Sequence, residues 1–168
     1  MCSSDLTLFP SHDNMAKIVI LTSEFKSYVP ATLKGKAEEA GHEVTLINPN
    51  ECYIGVDTAE PYISYNGTKF KKGDIDICIP RLMEDYLDYK IAILSHLEKM
   101  GVFILNSAKS MRTCIDKLQS QIIFANEGVK TPKTVMLTSD SQIDFVAKYF
   151  DEKFPLVVKT LFGSGSVS

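Results

Sequence analysis

The sequence predicts an α/β protein with an open, mostly parallel β-sheet. Short apolar runs at residues 17–22, 43–47, 76–79 and 102–105 are rich in β-branched residues and alternate with stretches whose apolar residues recur at helical spacing. Runs of this kind lie in parallel sheets, because both faces of such a sheet are covered. Their alternation with helices is typical of open α/β folds.

The first two strands and the helix between them form one βαβ unit. The helix is predicted over residues 29–40, between the strands at 17–22 and 43–47, and Gly41 is placed to end it. The second strand ends before Pro49, because proline favours a turn and cannot continue strand pairing. Since βαβ crossovers join parallel strands, we expect these two strands to be parallel neighbours.

A β-hairpin is predicted in the middle of this domain. The pair Asn66-Gly67 tolerates positive φ and separates short strands at 62–65 and 69–70. Beyond the hairpin, a helix over residues 86–100 connects the last two strands of the sheet. The first domain therefore contains a parallel sheet with a small antiparallel insertion.

The remaining residues are predicted to begin a second domain. Residues 110–127 have the pattern of a polar turn followed by a helix, and residues 139–150 that of a capped second helix. Strands are predicted at 133–137 and 155–159, the latter running into a Gly/Ser-rich loop. Because a small domain needs more sheet than these strands supply, we expect the sequence to be truncated.

Residues 1–14 are left out of the predicted fold. Their first residues resemble the translation of a sequencing-adapter oligonucleotide, and the segment has no apolar periodicity. We expect a disordered or artefactual leader, with Met15 as the natural start. The predicted domains are therefore residues 15–106 and 107–168.

Composition excludes several functional classes. Eighteen basic and 21 acidic residues give a net charge of −3 without a dense basic run, so we expect no direct nucleic-acid binding and no attraction to anionic membranes. The apolar runs are far shorter than the ~20 residues that span a bilayer. The four cysteines lack the spacing of zinc ligands, and we expect reduced thiols in a cytoplasmic protein.

The first candidate site is the end of the predicted strand 155–159. Lys159 ends this strand, and the loop that follows contains Gly163, Ser164 and Gly165. A cation beside exposed backbone N–H groups can hold a polyphosphate, although the order differs from the Walker and dinucleotide-binding patterns. The segment alone fits a surface turn after an edge strand equally well.

Two further cations are candidates for ligand contacts. Lys117 follows Asp116 in the first turn of a predicted helix, where a lone lysine is most often solvated. Arg81 directly follows a strand and Pro80, and open α/β sheets bind ligands beyond the carboxyl ends of their strands. Arg81 is therefore a candidate for binding a carboxylate or phosphate, with a structural ion pair as the alternative. No residue is assigned as a catalytic group or as a metal ligand.

Read in order, these motifs resemble the ATP-grasp carboxylate–amine ligases. More narrowly, they are similar to the RimK type, which adds glutamate to the carboxyl terminus of a small-subunit ribosomal protein. The resemblance extends over residues 15–165. The motifs that carry it are Pro80-Arg81, Asn106, Asp116-Lys117, Thr131-Pro132 and the strand that ends in Lys159, followed by glycine.

The resemblance implies a pre-ATP-grasp α/β domain followed by the first part of an ATP-grasp lobe that closes on ATP with Mg²⁺. ATP would phosphorylate a carboxylate, and the amine of an amino acid would attack the acyl phosphate. In this interpretation Lys117 and Lys159 contact the nucleotide, the loop from Gly163 covers the phosphates, and Arg81 binds the substrate. The implied partners are ATP, an amino acid and a carboxylate acceptor such as a peptide or protein carboxyl terminus, and a homo-oligomer is left open.

Two departures separate this chain from the family pattern. Its loop reads Gly-Ser-Gly-Ser-Val-Ser at 163–168, where the family has Gly-Ser-x-Gly-x-Gly. The residues that hold magnesium in the family lie in a carboxyl-terminal lobe, which we expect to be missing from this sequence. We therefore do not expect the chain alone to catalyse ligation. The alternatives are a non-catalytic α/β module that binds a nucleotide or small molecule, and a glutathione-synthetase-like peptide ligase.

Overall fold

The computed structural model describes residues 15–57, 59–82, 85–139, 142–150 and 155–161. Contacts divide the chain into two units between Ala108 and Lys109. The regular elements of the first unit, in chain order, are β1 (Lys17–Leu21), α1 (Tyr28–Glu39), β2 (Glu43–Ile47), a 3-10 turn (Pro49–Glu51), β3 (Tyr53–Gly55), β4 (Tyr62–Tyr65), β5 (Thr68–Lys71), β6 (Ile77–Pro80), α2 (Leu87–Lys99) and β7 (Phe103–Ile104). The assignment of the two units to a pre-ATP-grasp domain and an ATP-grasp lobe stays a prediction.

A four-stranded parallel sheet is the centre of the first unit. Its strand order is β2-β1-β6-β7, and all three neighbouring pairs run parallel. Lys17 pairs with Glu43 and Leu21 with Ile47, so β1 and β2 match along their whole length. The predicted α/β class and the predicted parallel pairing of the first two strands are confirmed.

The sheet is covered by apolar residues of α1 and buried residues of α2. Ile18 and Ile20 of β1 belong to a buried cluster against which Leu33 and Ala37 of α1 pack. Helix α2 supplies the fully buried residues Ile93, Leu94 and Leu97. Burying such side chains contributes roughly 1.5–3 kcal/mol each relative to exposure, which makes this sheet the main hydrophobic core of the unit.

The predicted hairpin is present, and it belongs to a three-stranded antiparallel sheet of order β3-β4-β5. Asn66 and Gly67 both have positive φ, at 48° and 77°, as a tight hairpin turn requires. The additional strand β3 contains Gly55, where an added Cβ would lie 2.1 Å from Cε1 of Tyr62. Only glycine lets the Tyr62 ring pack on this strand.

The second unit is helical wherever its described residues have regular structure. Its helices are α3 (Ala108–Ile115), which begins at the boundary, α4 (Lys117–Asn126) and α5 (Ile143–Tyr149). The predicted polar turn near residue 110 is wrong, because Ala, Lys, Met and Arg of α3 favour helix and the break comes only at Asp116. Among the described residues, none of the helices has the length and apolar character that a membrane-spanning helix requires.

The strands predicted at 133–137 and 155–159 are wrong. Both segments lack regular secondary structure, and Val157 and Val158 are 79% and 81% exposed. A β-branched run forms a strand only where a neighbouring strand accepts its backbone hydrogen bonds. The described residues of the second unit contain no such partner strand.

Two of the described cysteines are buried in the first unit. Burial raises the pKa of the Cys78 thiol to about 12 and that of Cys52 to about 11, with the neighbouring Glu51 adding to the rise at Cys52. Cys114 is exposed, and all three thiols are free. Because thiolates are the reactive form, the two buried thiols are inert near neutral pH.

We expect iodoacetamide at about pH 8, near the ordinary thiol pKa, to alkylate Cys114 in the native chain. Cys78 should react only after denaturation, because it is both inaccessible and protonated. Peptide mapping by mass spectrometry measures the labelled fraction at each cysteine. Native alkylation of Cys78 at the rate of Cys114 would show that the sheet does not enclose it.

Candidate functional site

The carboxyl edge of the parallel sheet is the first candidate site. β1 and β6 are neighbours, but the chain leaves β1 towards β2 on one side and leaves β6 towards β7 on the other. Connections that diverge in this way open a crevice between the two strand ends, and open α/β proteins bind ligands at this switch point. The crevice is flanked by residues 22–27 and by the β6–α2 connection, which is described at residues 81–82 and 85–86.

Arg81 lies at this switch point. Its backbone N–H donates to the carbonyl oxygen of Leu21, the last residue of β1, at 2.8 Å. Its side chain is exposed, so the guanidinium is accessible to an anion from solvent. The planar guanidinium matches the two oxygens of a carboxylate, which makes substrate binding by Arg81 chemically sound.

Thr22 begins the opposite side of the crevice. It is 2% exposed, and its backbone N–H donates to the carbonyl oxygen of Ile47 at 2.9 Å. Its side-chain Oγ1 accepts from the backbone N–H of Glu24 at 3.1 Å. The start of the β1–α1 connection is therefore fixed to the end of β2.

The sequence does not predict the polar network that fastens the same edge. Lys90, near the start of α2, is fully buried, and its Nζ lies 2.8 Å from Oδ1 of Asp85. Oδ2 of Asp85 accepts from Nδ2 of Asn50 at 2.7 Å. Since Asn50 belongs to the turn after β2, these side chains join the β6–α2 connection to the end of β2.

A neighbouring hydrogen bond strengthens this connection. The hydroxyl of Tyr89 in α2 donates to the carbonyl oxygen of Cys52 at 2.8 Å.

The sequence contains one signal for the network, which is the position of Lys90 on the apolar stripe of α2, three residues before Ile93. The network around Lys90 could not be predicted from the pattern, because Asp85, which pairs with Lys90, and Asn50, which donates to Asp85, come from different connections of the sheet.

Asp85 determines how this network responds to pH. The hydrogen bond from Lys90, followed by that from Asn50, holds the pKa of Asp85 below its ordinary value. The Asp85 side chain is 46% exposed while the ammonium beside it is buried. A buried ammonium is costly unless it is paired, so this edge depends on an ionised Asp85.

Lys117 stands at the start of α4 in the second unit. The helix is capped by Asp116, whose Oδ1 accepts from the backbone N–H groups of Leu118 and Gln119 at 2.9 and 3.0 Å. Lys117 is half-buried, and its Nζ and backbone N lie 3.4 and 3.5 Å from the carbonyl oxygen of Leu161. These contacts bring the segment 155–161 to the start of α4.

Lys159 belongs to that same segment. Its side chain is exposed, and it lies two residues before Leu161. The two predicted nucleotide-binding lysines therefore come from segments that contact each other in the second unit, whereas Arg81 belongs to the first unit. Gly163, Ser164 and Gly165 lie outside the described residues, and their contact with phosphates stays a prediction.

The described residues do not fit a magnesium site. Among residues 15–57, 59–82, 85–139, 142–150 and 155–161, no group of three His, Cys, Asp or Glu side chains could hold a metal ion. Mg²⁺ prefers oxygen ligands such as carboxylates in octahedral geometry.

The pH dependence of stability tests the role of Asp85. Because its folded-state pKa is lowered, the carboxylate stabilises the fold fully above about pH 4, the unfolded value, and loses this effect as the pH falls through the folded-state pKa. Urea unfolding of the parent and of Asp85→Asn, from about pH 7 to about pH 3, measures the difference. We expect the parent's advantage in free energy of unfolding to be largest near neutrality and to shrink in acid. An advantage that does not change with pH would contradict the assigned ion pair.

Comparison with known proteins gives one family match and many relatives. Residues 16–111 match the family model of the RimK PreATP-grasp domain. A probable alpha-L-glutamate ligase of Legionella pneumophila (strain Corby) is 35% identical over 149 residues, which cover 88% of this chain and 48% of that protein. One of Thioalkalivibrio sulfidiphilus is 34% identical over 151 residues, covering 90% and 49%. The chain thus spans about half the length of the curated relatives it matches.

Solved structures agree on the fold. The RimK domain protein ATP-grasp from Sphaerobacter thermophilus has a TM-score of 0.62 at 18% identity, covering 87% of this chain and 50% of that one. The macrocyclase MdnB from Microcystis aeruginosa has a TM-score of 0.59 at 12% identity, covering 82% and 52%. At these identities the likeness concerns the fold, which is part of the ATP-grasp fold. Because the family model covers more than half of its residues, the chain belongs to the RimK pre-ATP-grasp domain family.

Proposed function

We propose that this chain is the amino-terminal part of an ATP-dependent carboxylate–amine ligase. The match of residues 16–111 to the RimK pre-ATP-grasp family carries the proposal. The relatives from Legionella and Thioalkalivibrio, which align over nearly the whole chain, are named probable alpha-L-glutamate ligases and support it. The accessible Arg81 at the switch point and the contact between the two lysine-bearing segments are compatible with this role.

The proposed reaction has two steps. A carboxylate oxygen of the acceptor attacks the γ-phosphorus of ATP, so ADP leaves and an acyl phosphate forms. The amine nitrogen of an amino acid then attacks the acyl carbon, phosphate leaves, and the amine gives up a proton. The product is an amide bond between acceptor and amino acid.

The proposed roles of the candidate residues follow from the charges in this reaction. Negative charge is spread over the transferred phosphoryl oxygens, and positioned cations stabilise it. We assign Lys117 and Lys159 to the nucleotide and Arg81 to the acceptor carboxylate. Gly163, Ser164 and Gly165 are the proposed start of the loop over the phosphates.

The substrates are proposed from the relatives' names and the family resemblance. Glutamate is the proposed amino acid, and a peptide or protein carboxyl terminus is the proposed acceptor, with that of a small-subunit ribosomal protein as the narrower choice. Mg²⁺ is the proposed companion of ATP, bound by residues outside those described. The cytoplasmic location expected from the unclustered cysteines belongs to the same proposal.

A chimera tests this function. This chain is joined to the carboxyl-terminal half of the Legionella relative, in place of the half that it matches. We expect ADP release that requires both glutamate and a peptide acceptor, together with acceptor mass increasing by one glutamyl residue. The intact relative is the positive control. A folded chimera that binds ATP but extends no acceptor that the relative extends would contradict the ligase proposal and favour a binding module.

The same chimera tests the two lysines. Lys117→Ala and Lys159→Ala should each weaken ATP binding roughly tenfold to hundredfold, since a charged hydrogen bond contributes about 1.5–3 kcal/mol. Isothermal titration calorimetry measures the dissociation constants. Lys130→Ala, which removes an exposed lysine of the same unit, is the matched control. If both variants bind ATP as tightly as the parent chimera, neither lysine contributes to nucleotide binding.

A further inference from the structure

We propose that the network of Lys90, Asp85 and Asn50 positions the carboxyl edge of the sheet so that Arg81 binds a substrate carboxylate. Lys90 is then a positioning residue of this site. The identity of the ligand, a carboxylate, rests on the proposed function. The site itself rests on the geometry of the first unit.

The β6–α2 connection is held near both ends. At its start, the backbone N–H of Arg81 donates to the carbonyl oxygen of Leu21 at 2.8 Å. Towards its end, Asp85 is held by Nζ of Lys90 at 2.8 Å and by Nδ2 of Asn50 at 2.7 Å. The connection is therefore tied to the ends of both β1 and β2, on which the crevice is built.

Stability alone does not explain why Lys90 is buried. The neighbouring α2 residues Ile91, Ile93 and Leu94 already supply the buried apolar surface. Replacing a buried ion pair by apolar residues of similar volume is often neutral or stabilising. The ammonium group instead determines the position of the Asp85 carboxylate, because its hydrogen bond to Oδ1 is directional.

Asp85 is a potential competitor of the substrate for Arg81. Asp85 is four residues away on the same connection, and a carboxylate there could pair with the guanidinium and block it. Lys90 and Asn50 instead engage both Asp85 oxygens. Within the described part of the chain, Arg81 takes part in no ion pair, and its side chain is exposed. The network therefore leaves the guanidinium available for an external carboxylate.

The experiment uses the 168-residue chain, isotopically labelled for NMR. The probe is N-acetyl-dialanine with a free carboxyl terminus, and the matched control is the same peptide as its carboxyl-terminal amide. We expect millimolar carboxylate probe to shift the backbone amide resonances of residues 22–27 and 81–82, and the amide probe to leave them unchanged. Arg81→Gln should abolish these shifts.

The variants separate positioning from stability. Lys90→Met should keep a thermal midpoint close to that of the parent. It should weaken probe binding by roughly tenfold, because a displaced Arg81 would lose about one charged hydrogen bond to the probe. Lys99→Met removes an exposed lysine of the same helix and should change neither quantity. Asn50→Ala changes an exposed residue, preserves the buried pair and should also weaken binding. If Lys90→Met fails to fold, the affinity of Asn50→Ala for the probe shows whether the network positions Arg81.

Two results would overturn the proposal. Equal shifts with the carboxylate and amide probes, or none with either, would mean that Arg81 binds no carboxylate. Parent-like affinity in folded Lys90→Met, or in Asn50→Ala where Lys90→Met does not fold, would mean that the network is only structural. Because these titrations contain neither ATP nor the carboxyl-terminal half of the Legionella relative, their failure is distinct from failure of the chimera to ligate.

Discussion

Strand β1 pairs in parallel with a neighbour on each side, and this pairing determines where the other residues of the first unit lie. Leu21 is in register with Ile47 of β2 and with Pro80 of β6. Because all three strands run in the same direction, their carboxyl ends reach one edge together. Residues far apart in the chain, such as Thr22, Asn50 and Arg81, are thereby placed on that edge, and the divergent connections leave a crevice between β1 and β6.

This edge differs from the core in the kind of interaction that holds it. Non-directional apolar packing stabilises the core. Backbone hydrogen bonds and the network of Lys90, Asp85 and Asn50 stabilise the edge. Directional bonds specify the path of a connection, and apolar contacts mainly fill volume. A substrate site on connecting segments requires directional bonds, because these segments have no strand-pairing hydrogen bonds to fix their position.

The sequence predicts those features whose causes are local. Apolar runs identified the parallel strands, and Asn66-Gly67 identified the hairpin, because each signal lies within its own element. Strand β3 could not be predicted, since the need for Gly55 comes from the ring of Tyr62 on another strand. The same holds for the segments at 133–137 and 155–159, where local β-propensity exists but no described partner strand accepts the hydrogen bonds. In the candidate site, Arg81 was predictable from its place after a strand. The network of Lys90, Asp85 and Asn50 was not, because Asp85 and Asn50 come from separate connections.

The most direct test is a crystal structure of the chimera with ADP, Mg²⁺ and a peptide acceptor bound. We propose that the β1–β6 edge of this unit forms the acceptor site of the ligase. The structure should then show the acceptor carboxylate against the Arg81 guanidinium, between residues 22–27 and the β6–α2 connection. The nucleotide should contact Lys117 and Lys159. An acceptor bound with its carboxylate away from the β1–β6 edge would contradict this account.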